Sequence, residues 1–176
     1  MVMQAVPSTP PTTEQRAAAA RLVAQTRANI AKYQDLNVAL AAGYRASTAP
    51  NAPTVHYVNP AYLRDGLILD PARPEYLVYA NTASGPLLLG AMYMMPKVGQ
   101  PGPDIGGSLT RWHVHENLCF AIGRWSIAGL LTPFGTCPAG TLNGPTPAMM
   151  HVWTAPNPNG PLGELNTAWL KQLVKQ

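Results

Sequence analysis

Two spacings of apolar residues alternate with punctuation along the chain. Residues 1–11 carry no apolar periodicity and read as a linker. Thr12-Thr13-Glu14-Gln15 then forms a capping box, with Thr12 as N-cap and Gln15 three residues on. In the segment that follows, Ala19, Leu22, Val23, Thr26, Ile30 and Tyr33 recur at helical spacing. Asp35 starts a second, shorter helix with Leu36, Ala39 and Leu40 inward and Gly43 as its stop. From residue 44 the texture changes to short apolar runs broken by Pro, Gly and Asn, a strand pattern. The runs are Thr54–Val58, Tyr76–Ala80, Leu87–Met95, Leu109–Ala121, Ser126–Leu131 and Ala148–Thr154. Leu162, Leu165, Trp169 and Leu173 return to helical spacing at the C-terminus. The pattern predicts an α+β domain over residues 12–176. In it an N-terminal helix or helical hairpin packs on an antiparallel sandwich or barrel of about six strands, and a short C-terminal helix follows.

Composition narrows this. Charged residues are 11% of the 176, against a usual figure of roughly 25%. Nineteen prolines and fifteen glycines replace them, so loops outweigh long amphipathic helices. The net charge is +4, but the basic residues are scattered and form no stripe, which argues against nucleic acid as a partner. The most apolar stretch, Pro86–Pro96, is too short to span a bilayer. The Phe120–Phe134 stretch is interrupted by Arg124. The start, MVMQAVPSTPPTTEQ, has neither a basic nor an apolar region of a signal. It reads as a Pro/Thr-rich linker of the kind that follows an export signal or membrane anchor. Low charge, few lysines and two cysteines point to a secreted or membrane-tethered, extracytoplasmic domain.

The chemistry concentrates in four histidines, His56, His113, His115 and His151. On a strand, His113 and His115 of Trp112-His113-Val114-His115 project from one side, less than about 7 Å apart. His151 lies in Met149-Met150-His151-Val152-Trp153, and if that strand neighbours the first, three imidazoles meet. Three histidines with an open position suit a catalytic transition metal. His56, in Val55-His56-Tyr57-Val58, is either a fourth ligand, a proton-handling group, or a hydrogen-bonding partner of one. The competing reading is an ordinary set of core or surface histidines. Glu116 is a candidate acid/base and Tyr57 a candidate catalytic group, although on a regular strand Glu116 faces away from the pair. Tyr57 and Trp112 are candidate pocket walls. Arg64, Asp70, Arg73 and Glu75 look like loop-fixing charge pairs. Met92, Met94 and Met95 in one strand, with Met149 and Met150 before His151, favour copper slightly over zinc, against their common use as core filler. Copper implies an oxidoreductase and zinc a hydrolase. A non-catalytic copper-delivery protein is one alternative, and a glycan-binding module is another. The partner is then a small molecule or a glycan. Cys119 and Cys137 form either a disulfide worth roughly 3 kcal/mol or thiolate ligands, and export favours the disulfide.

The strings VHYVNPAYLRDGLILDPARPEYLVYA, LTRWHVHENLCF and TPAMMHVWTAPNPNGP resemble a bacterial family of exported or membrane-tethered domains of uncharacterised activity. The resemblance spans roughly residues 14–165. It implies an extracytoplasmic location and a role for the histidines, without a reaction. Gly107 followed by His113 and His115 is also distantly similar to a first cupin motif. Here, however, Glu116 is adjacent to the histidines instead of several residues on, and no second motif surrounds His151.

Overall fold

The computed structural model describes residues 1–5, 7–123 and 126–176. Arg124, which interrupts the long apolar stretch, lies outside them. Helix α1 runs Thr13–Ile30 and carries the expected capping box: Thr12 Oγ1 accepts from Gln15 N at 3.2 Å and Gln15 Oε1 from Thr12 N at 2.9 Å. Ala19, Leu22, Thr26, Ile30 and Tyr33 are buried, as their spacing requires. Helix α2, Leu36–Ala41, starts at Asp35, whose carboxylate accepts from Asn37 N. Gly43 follows in the left-handed region. Leu36 and Ala39 pack on the core, but Leu40 is 37% exposed and does not face inward as its spacing suggested, because so short a helix turns only a narrow face to the core. Helix α3 is Thr167–Leu173.

Ten strands pair antiparallel among the described residues, in place of about six. They are β1 (Val2–Met3), β2 (Arg45–Ala46), β3 (Thr54–Val58), β4 (Tyr76–Thr82), β5 (Gly85–Met94), β6 (His113–Val114), β7 (Leu118–Ala121), β8 (Ile127–Leu130), β9 (Thr141–Asn143) and β10 (Met149–Trp153). Seven form one sheet in the order β1-β6-β10-β5-β4-β3-β2, and three form another in the order β8-β7-β9. The chain is therefore α+β. Leu109–Ala121, expected as one strand, breaks at residues 115–117, so β6 joins the large sheet and β7 the small one. Within the 1–11 segment, Val2 and Met3 pair with Val114 and His113.

The large sheet separates two apolar layers by strand parity. Leu77, Tyr79, Ala91, Tyr93, Met150 and Val152 face α1. Tyr76, Val78, Met92, Met94, Met149 and Trp153 face the other way, toward α3 and its approach. The sheet is bent. From β10 to β3 is three strand spacings, about 14 Å in a flat sheet; the lean of the two imidazoles toward each other and the bend of the sheet together bring His151 Nε2 and His56 Nε2 to 3.5 Å. Two features lie on that path: a register shift in β4 between Val78 and Tyr79, and Gly90 in β5. A bulge bends its strand and increases its twist. At Gly90 a Cβ would stand 2.2 Å from Val152 O, so only glycine allows β10 to close this tightly on β5.

Candidate functional site

The concave side of the curled sheet, the small sheet and the segment leading to α3 enclose a cavity of about 410 Å³. All four histidines line it. His151 comes from β10, His113 from β6 beside it, His56 from β3 across the concavity, and His115 from the turn after β6. Ring centroids are 5.2 Å apart for His113–His115, 5.3 Å for His113–His151 and 5.8 Å for His56–His151. Trp153, His151 and His113 form a near-parallel stack, with interplanar angles of 6° and 11°. Register sets this arrangement. His113 pairs with Met149, two residues before His151 on the same face, while His151 pairs with Met92.

Backbone anchors hold the two flanking histidines. His56 N donates to Thr48 Oγ1 at 3.0 Å, and Ser47 Oγ donates to His56 O at 3.0 Å. His115 N donates to Thr146 Oγ1 at 2.9 Å, and Thr146 N returns a bond to His115 O at 2.9 Å. Burial, followed by the proximity of the other histidines, pushes His56 and His115 down to about 4. The same causes hold His151 well below the usual imidazole range. Burial also lowers His113, against a backbone hydrogen bond with Arg111 that raises it. The site is thus a cluster of neutral imidazoles at pH 7, the protonation state a metal ligand needs. As the side chains stand, no group of three His, Cys, Asp or Glu among the described residues is arranged to hold a metal ion.

Three methionines share the cavity with the imidazoles. Met92 stands opposite His151, Met149 opposite His113, and Met94 accepts from the Tyr76 hydroxyl at 3.9 Å. Met95 and Met150 face the α1 layer and do not line the cavity. Other expected site residues lie elsewhere. Tyr57, adjacent to His56 in a strand, has the opposite parity, and its ring packs edge-on against Tyr79 on the α1 side. Trp112 shares that side, its indole donating to Pro103 O. Glu116 is exposed outside the cavity, and Asn143 Nδ2 binds its carbonyl. Cys119 and Cys137 form a disulfide that bridges β7 to the loop before β9, with Cα atoms 5.7 Å apart. Neither sulfur is therefore a thiolate ligand. In the polar loop, Arg73 pairs with Asp65 at 3.2 Å, Arg64 Nε donates to Pro60 O, and Asp70 accepts from Ala72 N. Glu75 is no surface charge pair. It is 3% exposed and accepts from Met94 N at 3.3 Å.

Sequence reasoning missed Thr48, Thr146, Arg111 and Glu164. Only the threonines had a usable signal, since small hydroxyl residues commonly anchor neighbouring backbone. Among the described residues, no helix is long and apolar enough to cross a membrane. Comparison with protein-family models, curated proteins and solved structures returned no match.

Proposed function

We propose that the four-histidine cavity is a mononuclear transition-metal site, with copper preferred to zinc, in an extracytoplasmic protein that acts on a small molecule. The observation that carries this is the 3.5 Å between His56 Nε2 and His151 Nε2. Two nitrogens on a tetrahedral ion, each at about 2.0–2.1 Å, lie about 3.3–3.4 Å from one another. A good N–H···N bond would be shorter, near the usual ~2.7–3.2 Å. The His56–His151 edge is thus nearly ready for an ion. His113 or His115 supplies the third ligand by rotation about χ2, a soft torsion for histidine. Thioethers of Met92 and Met149 directly across from His151 and His113 favour copper. Copper held on imidazoles beside an open cavity supplies one-electron chemistry to a bound molecule, which favours an oxidoreductase over a sealed delivery site. The Cys119–Cys137 bridge supports an oxidising compartment.

Elemental analysis after growth in copper and zinc tests the reading. Wild type and Glu116→Ala are expected to hold one copper per chain, and His151→Ala and His56→Ala to lose it while keeping their circular dichroism. Wild-type protein that retains neither metal, or a His151→Ala variant that retains it in full, would overturn the assignment.

A further inference from the structure

The walls of the cavity describe the molecule that fits it. One wall is the methionine row Met92, Met94 and Met149, and the facing wall is Leu118, Phe120 and Ile127 of the small sheet. Most hydroxyls along the walls already make a hydrogen bond. Thr48 and Thr146 accept from the histidine backbones, Ser47 donates to His56 O, and Tyr76 donates to Met94. Such walls match neither the many hydroxyls of a glycan nor an ionic group. The charged side chains at the cavity, Arg111 and Glu164, are both exposed and opposite in sign. The polar groups a ligand meets there are the imidazole nitrogens and the threonine hydroxyls of the lining. The volume of about 410 Å³ is that of a small-molecule site.

We propose that the cavity takes an uncharged aromatic alcohol, with its ring between the methionine row and the small sheet and its hydroxyl on the imidazoles. Thioethers favour the edge of an aromatic ring over an alkyl chain, and Phe120 and Tyr76 add ring contacts of their own. A neutral imidazole offers one acceptor nitrogen to a hydroxyl. The approach to this seat is apolar as well. Leu130 and Leu142 pair with Leu118 and Phe120, so they share the cavity-facing side of the small sheet, and they are 59% and 64% exposed. The proposal deepens the reading of the same site and rests on it only for the imidazole role, since the ring's seat forms without an ion.

The test is calorimetric titration of chelator-treated protein with 2-naphthol, naphthalene and methyl glucoside, alongside the copper analysis. One 2-naphthol per chain is expected, with naphthalene bound roughly tenfold more weakly for want of the hydroxyl bond and methyl glucoside not at all. Phe120→Ala and Leu118→Asp are expected to weaken 2-naphthol at least about tenfold, and Glu116→Ala to leave it unchanged. Leu118→Asp is scored only if its circular dichroism is native, and Phe120→Ala stands alone otherwise. No 2-naphthol binding, equal binding of naphthalene, or a Phe120→Ala variant that binds like wild type would overturn the proposal. Copper without 2-naphthol sinks this inference alone, and 2-naphthol without copper sinks the metal reading alone.

Discussion

Burial raises the carboxyl of Glu75 to about 7, ahead of the smaller upward push from Asp65 and Asp70, while hydrogen bonds with its own backbone and Met94 pull the other way. The unfolded carboxyl ionises near 4.5. Between these values the folded chain holds a proton that the unfolded chain has released, so stability falls as pH rises through that window. The loss is on the order of 3 kcal/mol once ionisation is complete. Glu75→Gln removes this dependence. Urea midpoints at pH 5 and pH 8 should show the variant gaining on wild type at the higher pH, and a gap independent of pH would contradict the argument. The segments that carry the histidines were legible without coordinates, but strand parity was not what joined His113 to His115: the strand ends at Val114 and His115 reaches the cavity from the turn after it. Parity does explain the failure at Tyr57, whose place next to His56 in sequence puts it on the opposite side of β3. Glu75 could not be read this way, because a carboxylate in a Pro-rich loop looks solvated until a neighbouring strand covers it.

At the level of elements, β5 and β10 do the positioning. Gly90→Ala would drive a Cβ to within 2.2 Å of Val152 O and 2.9 Å of Trp153 Cα, both backbone atoms that cannot rotate away. The strands must part, at a cost of roughly 1–3 kcal/mol, and His151 shifts with β10. A lowered melting temperature together with reduced copper binding is the expected result. A variant as stable as wild type would mean that the β5–β10 register is wrong. The helices and long strands were readable because each repeats its period over enough residues, as α1 does with its capping box and β3 with its bounds. The two-residue strands β1, β2 and β6 carry no period. They exist because neighbours offer them partners, as Met149 and Met3 do for His113.

Across the whole molecule, the small sheet is the cavity's second wall, and the disulfide belongs to it. Cys119 lies between Leu118 and Phe120, and its bond to Cys137, 18 residues away, closes a loop over β8. Reduction, or Cys119→Ala with Cys137→Ala, should destabilise the fold by roughly 3 kcal/mol and leave the copper stoichiometry unchanged, since neither cysteine lines the histidine cavity. Denaturant unfolding with and without reductant, paired with metal analysis, reads both. Loss of copper on reduction at native circular dichroism would return the thiols to the site.

Local chemistry written in the chain determined the α+β class, the caps of α1 and α2, the pairing of the two cysteines and the segments that carry the histidines. Those properties depend on short-range periods and on an even, minimal cysteine count. Only the tertiary structure decided that His56 meets His151, that Tyr57 and Trp112 turn toward the helices, and that apolar walls surround the imidazoles. These follow from sheet order and from the curl at Gly90 and the β4 bulge. Coiling brings residues from non-adjacent strands together, and no spacing along one chain encodes how far a sheet will bend.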